Sequence, residues 1–326
     1  MPAADGRMRA ADVRPADVEA FRTSGVLVMP NFFTAEEAAA MRRSVADLRD
    51  RGLMSNLMVD APAGEPAAEN LQMAWLSKHS MLWQCLPWEP RVVAAAERLL
   101  GASRSGVGGC EVHYDQSFLK PPSVGAGTSW HTDNGYFRIQ DPLKGVGMWI
   151  AVDDASIENG TLHVVPGVEG RFPEPAHGRD TRSSLLSCAD DIDEEEAVPC
   201  ELEAGGVVFF CYGVPHCTRA NSTATERCAV AYHFITCDEI EQHPNNEVEN
   251  PRGGARRFLT GGRATGGRAE YGEKMGGGRW AAEVRGVLRG EGRPGLPHLR
   301  PAGIDGDTID HSGGDPPGYS RERAAL

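Results

Sequence analysis

The apolar positions of this 326-residue chain change their spacing twice. Over the first hundred residues they recur every three to four positions, the mark of a helix with one buried face. Residues 13–23 carry that pattern, and so do residues 89–100, which Gly101 should stop. Thr34-Ala35-Glu36-Glu37 has the form of a capping box. It opens a helix that should run to about Arg51, with Ala38, Met41, Val45 and Leu48 as the stripe that packs on a sheet. Residues 26–30 read as a short strand between helices, and residues 54–72 as a mixed loop. Met58, Met73 and Trp75 in this region could line a substrate mouth, although apolar residues are more often core. From about residue 106 to 237 strands dominate, among them the apolar runs 146–152, 206–212 and 228–235. Asn159-Gly160 reads as a hairpin turn between 150–152 and 162–165. After Pro251 the pattern dissolves into Gly- and Arg-rich pieces, with one short helical stretch at 280–288.

Two short segments carry candidate chemistry. The first is Trp130-His131-Thr132-Asp133, and the second is Val214-Pro215-His216, with Arg227 eleven residues further on. On an extended strand, residues i and i+2 point the same way. His131 and Asp133 can then reach one ion from one strand, and His216 follows a buried strand stiffened by Pro215. Two imidazoles and one carboxylate form the facial set that suits Fe(II) and leaves the other face open for a co-substrate and O2. A lone His-x-Asp is common by chance, and an isolated histidine is more often a turn or core residue. Arg227 adds weight because it leads into the apolar strand 228–235, where a buried guanidinium needs an anion. A dicarboxylate would meet it in bidentate geometry; a salt bridge to Glu226 or to an acidic loop is the plainer alternative.

Several stretches in order, roughly from Gln116 to Ile235, resemble the phytanoyl-CoA dioxygenase (PhyH-like) family of Fe(II)/2-oxoglutarate-dependent oxygenases. They are Phe118-Leu119-Lys120-Pro121-Pro122, Trp130-His131-Thr132-Asp133, residues 147–154, residues 158–167, and Pro215-His216 with Arg227. The resemblance implies a mainly β protein with flanking helices, built on a double-stranded β-helix (jelly roll, cupin-like) core. It implies His131, Asp133 and His216 as iron ligands and Arg227 as the clamp on the distal carboxylate of 2-oxoglutarate. Thr218 would stand beside that clamp, with Lys120 and Trp149 near the same co-substrate and Thr161 a weaker candidate. Plainer readings make Lys120 a surface lysine before a Pro-Pro break and Trp149 a core aromatic. The implied cofactors are Fe(II), 2-oxoglutarate and O2, and the implied reaction is hydroxylation of an unactivated C–H with release of succinate and CO2. Halogenating relatives carry a small residue at the Asp133 position, so the carboxylate here argues against halogenation. The chain departs from the family after Pro166-Gly167, where Val168-Glu169 replace the usual Ser-His. Asn134, Tyr136 and Arg138 follow the ligands directly and are candidate substrate contacts.

Composition refines this picture. Forty per cent apolar and 24% charged residues are ordinary for a soluble protein. No apolar run is long enough to span a membrane, and no secretory signal is visible at the N-terminus. The eight cysteines contain no Cys-x-x-Cys, and several lie on apolar strands, as expected of free thiols in a reducing cytoplasm. Cys217 adjoins His216, where oxidation during uncoupled turnover is conceivable and a bystander role is favoured. The acidic run 189–196 reads as a solvated loop. The chain carries −13 overall, yet residues 252–300 hold eleven Lys/Arg against four Asp/Glu. That tail could bind RNA, but an extension folded over the core is favoured, and no nucleic-acid or membrane partner is expected. One domain is expected: an elaboration over 1–105, the catalytic core over 106–240 and the extension over 241–326. The partner is a small-molecule substrate. A cupin-like enzyme using another divalent metal without 2-oxoglutarate is the alternative. It would need the metal ligands and not the Arg227–Lys120 pair.

Overall fold

A computed structural model describes residues 12–59, 67–102, 108–188, 192–242 and 256–295. Two antiparallel sheets form the centre. The larger is eight-stranded. Its strands are β1 (Val26–Met29), β2 (Ser55–Asn56), β3 (Leu71–Ala74), β4 (Cys110–Lys120), β6 (Gly145–Ala151), β11 (Val207–Cys211), β13 (Arg227–Thr236) and β14 (Arg257–Phe258). They run in the order β1-β11-β6-β13-β4-β3-β2, with β14 added to β4. The smaller sheet holds β5 (Thr128–His131), β7 (Leu162–Val164), β10 (Val198–Cys200) and β12 (His216–Thr218), in the order β10-β7-β12-β5. A two-stranded ribbon, β8 (Gly178–Arg179) with β9 (Leu186–Ser187), lies in the excursion between β7 and β10. The central strands β6, β11 and β13 are buried along their whole length, which is why they read as continuous apolar runs.

Helices cover the outer face of the large sheet. They are α1 (Pro15–Ser24), α2 (Ala35–Asp50), α3 (Met81–Cys85), α4 (Pro90–Leu100) and α8 (Gly277–Leu288), with short α5 (Asp133–Phe137), α6 (Cys237–Gln242) and α7 (Arg268–Tyr271) elsewhere. The capping box forms as expected: the Thr34 hydroxyl accepts the Glu37 N–H, and the Glu37 carboxylate accepts the Thr34 N–H. Glu89 caps α4, and Gly101 ends it in the left-handed conformation at φ 63°. Ala38, Met41, Val45 and Leu48 are all buried. Helix α4 lies against β4, β6 and β13.

Two expectations are corrected. The Asn159-Gly160 turn does not join a hairpin. β6 pairs with β11 and β13 in the large sheet, whereas β7 pairs with β10 and β12 in the small one, so the turn carries the chain between sheets. Strand β5 ends at His131, and Asp133 opens α5, with Thr132 as its cap. Thr132 keeps extended geometry (φ −112°, ψ 148°), so the side chains of 131 and 133 can still share a side.

Much of the extension is built into the fold. Trp280 of α8 is 2% exposed and donates its indole N–H to Glu37 at 2.6 Å, on a helix that also packs on α2 and α3. Arg256 pairs with Glu111 at 2.7 Å, and Arg257 with Asp115 at 2.8 Å. One apolar cluster draws on Val13, the sheet strands and Val284 alike. Residues 252–255 and 296–326 of that tail lie outside the described residues, as do residues 189–191 of the acidic run. Glu194 in the same run accepts from the Trp130 indole and from Arg219.

Candidate active site

The inner face of the large sheet follows from two strands in register. Lys120 pairs with Arg227, Phe118 with Ala229, Gln116 with Ala231 and Tyr114 with His233. With period-two alternation, these are the inward positions of β4 and β13. The small side chain at Ala231 leaves room above the sheet, and a cavity of about 710 Å³, its mouth included, occupies it. The opposite wall comes from the small sheet: Thr128 and His131 of β5, Leu162 of β7, and His216, Cys217 and Thr218 of β12.

His131, Asp133 and His216 converge on this cavity, with one donor atom from each lying within 4.8 Å of the others. The register places His216 directly across from His131, with ring centroids 4.2 Å apart. Each ring has Nδ1 against a backbone carbonyl, Ser129 at 2.8 Å for His131 and Val214 at 2.9 Å for His216. That contact assigns the proton to Nδ1 and leaves the Nε2 lone pair for a metal. Burial, reinforced by His216, depresses His131 to about 3, and burial also lowers His216, so both shifts favour the neutral rings. Burial alone would raise Asp133, but His233, His216 and His131 outweigh it and bring the carboxyl down to about 2. Two neutral imidazoles and one carboxylate in this arrangement fit a divalent iron site.

The second feature is a pair of buried basic side chains with no carboxylate partner among the described residues. Arg227 is fully buried and donates one bond, from Nη2 to the Gly160 carbonyl at 2.7 Å; its Nε and Nη1 have no hydrogen-bond partner among the described residues. Glu226, the plainer partner, pairs instead with Arg42 and Arg49. Burial pulls Arg227 down to about 10. Lys120, 1% exposed and beside Arg227 in the register, donates to the carbonyls of Ala126 and Arg219. Burial and then Arg227 push its ammonium well below its ordinary value. Two buried basic side chains standing side by side favour a shared anion. Both stand just behind the cavity wall: the Arg227 guanidinium lies 5.8 Å from the ring centre of Trp149, which lines the cavity. Thr218 lines it too, and its hydroxyl accepts the Thr128 N–H at 3.1 Å.

Other expected residues are placed differently. The Thr161 hydroxyl donates to the Cys200 carbonyl and does not line the cavity. Asn134 uses both ends of its amide on the backbone of Ile139, closing the turn after α5. Arg138 is exposed at that turn, with φ 55°. Tyr136 does line the cavity and accepts the Leu186 N–H at 2.8 Å through its hydroxyl, tying the β8–β9 excursion to the site. Met58, Met73 and Trp75 do not line it; Gln72, one position from Met73 and on the other face of β3, does. Val168 is 70% exposed in a turn. His233 escaped the sequence reading, although it stands six residues after Arg227 and on the same face by strand period.

A family model described as phytanoyl-CoA dioxygenase (PhyH) matches residues 21–229. Ectoine dioxygenase of Stutzerimonas stutzeri is 27% identical over 252 residues, covering 72% of this chain and 80% of that protein. Among solved structures, EvdO2 from Micromonospora carbonacea var. aurantiaca complexed with 2-oxoglutarate matches at 27% identity and a TM-score of 0.53, over 69% of this chain and 91% of its own. The non-heme alpha ketoglutarate dependent carbocyclase SnoK from nogalamycin biosynthesis, at 21% identity and a TM-score of 0.57 over 71% and 87% of the two chains, shares the jelly-roll fold. The chain therefore belongs to the phytanoyl-CoA dioxygenase (PhyH) family and is a non-haem Fe(II)/2-oxoglutarate-dependent dioxygenase.

Proposed function

We propose that this dioxygenase hydroxylates an unactivated C–H bond of a small-molecule metabolite, with 2-oxoglutarate converted to succinate and CO2. The observation that carries the reading is the buried pair Arg227–Lys120, without a carboxylate partner among the described residues, behind the same cavity as the His131–Asp133–His216 cluster. His131, Asp133 and His216 would hold the iron, which with 2-oxoglutarate and O2 supplies the oxidising power for C–H cleavage. Arg227 and Lys120 bind the far carboxylate of 2-oxoglutarate, and the Thr218 hydroxyl and Trp149 ring border it. Ala231 gives the co-substrate part of its floor. Phe118, Phe137 and Phe210 keep the chamber apolar, so water is excluded when substrate closes it. The carboxylate at 133 fills a ligand position, which favours hydroxylation over halogenation.

Among the described residues the cavity lining holds no lysine or arginine, and it offers Gln72, Gln116 and Tyr136 as hydrogen-bonding groups. That supports a substrate whose reacting portion is uncharged and polar at its edge. The small solute in the name of the ectoine dioxygenases supports the same size class. No described helix is long and apolar enough to cross a membrane. Eight free, buried cysteines support a reducing compartment, the cytoplasm. The need for an anion at Arg227 speaks against the cupin-like reading without 2-oxoglutarate. In the tail, Arg256 and Arg257 are engaged inside the fold and are not offered to RNA. The shared apolar cluster supports treating residues 1–105, 106–240 and the described part of the extension as one domain.

The test is O2-dependent succinate release by iron-loaded protein, screened over small polar metabolites. A substrate should raise succinate release and gain one oxygen atom from labelled O2. Protein that holds iron but neither binds 2-oxoglutarate nor forms succinate would sink the proposal.

A further inference from the structure

We propose that His233 is a positioning residue for the Asp133 carboxylate, donating from Nδ1–H to Oδ2 and keeping that oxygen turned away from the metal. The inference rests on the iron site proposed above. Its first support is a pair of buried atoms that face each other. His233 Nδ1 lies 3.4 Å from Asp133 Oδ2, and each atom is otherwise without a polar neighbour in hydrogen-bonding geometry among the described residues. The other carboxylate oxygen, Oδ1, is the one that faces the ligand set, 3.8 Å from His216 Nε2. His233 is not itself one of the three clustered donors, so it meets the ligand from outside.

The sheet is shaped for this contact. His233 pairs across the sheet with Gly147. A Cβ at 147 would come within 3.2 Å of Asp133 Oδ2 and 2.8 Å of the Phe210 ring, so a glycine there is what lets the carboxylate lie against the sheet. On the β4 side the register shifts between His233 and Phe234, and such irregularities re-aim a side chain. The imidazole is held by the rings of Phe137 (5.2 Å between centroids), Tyr114 and Tyr212 (5.9 Å each). Phenylalanine would satisfy that aromatic nest. A 3% exposed histidine with no other polar partner among the described residues makes sense through this one polar contact.

The consequence is a one-armed carboxylate. With Oδ2 held by a donor, Asp133 presents Oδ1 alone and leaves coordination positions for a two-armed co-substrate and for O2. Outer partners of this kind set the orientation and basicity of metal ligands.

The test uses the full-length, metal-free protein and three substitutions. His233→Asn puts an amide N–H where Nδ1 stands, His233→Gln puts one where Nε2 stands, and His233→Phe keeps the packing with no donor. Anaerobic titration with Co(II), followed through its visible absorption, reads metal affinity without turnover. His233→Phe and His233→Gln should weaken binding about 10–100-fold. His233→Asn should stay close to wild type. Thermal melting checks each fold, and if the phenylalanine variant does not fold, the Asn–Gln contrast decides. Wild-type affinity in His233→Phe or His233→Gln, or an asparagine variant as weak as the glutamine one, overturns the assignment. Wild-type protein that takes up no metal would instead remove the iron site itself.

Discussion

Arg227 and Arg257 lie at nearly equal depth, 0% and 2% exposed, and their surroundings are opposite. Arg257 meets Asp115 at 2.8 Å and the Ser77 hydroxyl at 3.1 Å. Burial would lower its pKa, but Asp115 more than offsets this and the net shift is upward. Arg227 has the Gly160 carbonyl, a neighbouring lysine and no carboxylate, and burial carries it down. Depth alone does not mark a functional residue. Arg257 is matched within the chain and fastens the extension to β4, whereas Arg227 has no carboxylate partner among the described residues, which suits the proposed anion. Lys120 beside it sharpens the contrast, because each buried basic group makes charging the other costlier until an anion is bound.

Substitution should separate the two arginines completely. Arg227→Leu should weaken 2-oxoglutarate by two to three orders of magnitude, on the order of 3–4 kcal/mol for a buried charge pair. It should leave the melting temperature unchanged or raised, because an uncompensated charge is removed; calorimetric titration and a thermal melt check both. Arg257→Leu should do the reverse. It strands the Asp115 carboxylate and should cost about 3–5 kcal/mol of stability, with 2-oxoglutarate affinity unchanged in protein that remains folded. Denaturant unfolding measures the first, and a loss of co-substrate affinity would break the comparison. Lys120→Met should weaken 2-oxoglutarate about tenfold, one charge-assisted contact.

The smallest effect is a proton. In the free protein Lys120 sits well below its ordinary value, by burial first and Arg227 second. A bound dianion raises it again. At a pH between the lowered and the ordinary value, the lysine is neutral before binding and charged after it, so binding should take up as much as one proton. Titration calorimetry in buffers of different ionisation heat reads that number. Uptake should vanish in Lys120→Met and fall away as pH drops below the lowered value, where the lysine is already charged.

The legible part of the site was its one-dimensional order. His-x-Asp … His and an arginine leading a buried strand could be read because strand period and ligand chemistry are local rules. The helix ends at Thr34 and Gly101 were legible for the same reason. What sequence left open depends on register. Asn159-Gly160 has hairpin chemistry, yet its flanking strands join different sheets. Gln72 and Met73 differ by one position, and only the pairing of β3 with β4 decides which faces the cavity. Thr161 and Asn134 carry groups suited to ligands, but nearby backbone claims them. His233 needed the register with Gly147 before its place beside Asp133 had meaning. How the Gly/Arg-rich extension is fastened is not legible in its own sequence, because its anchors, Asp115, Glu111 and Glu37, lie more than a hundred residues away.

The most direct test of the central claim is anaerobic addition of 2-oxoglutarate to Fe(II)-loaded protein, watched for the weak visible metal-to-ligand charge-transfer band. Wild type should show the band, His131→Ala should lose it, and Arg227→Leu should need far more co-substrate to reach it. Protein that holds iron yet shows no band, or an Arg227→Leu titration identical to wild type, would contradict the account.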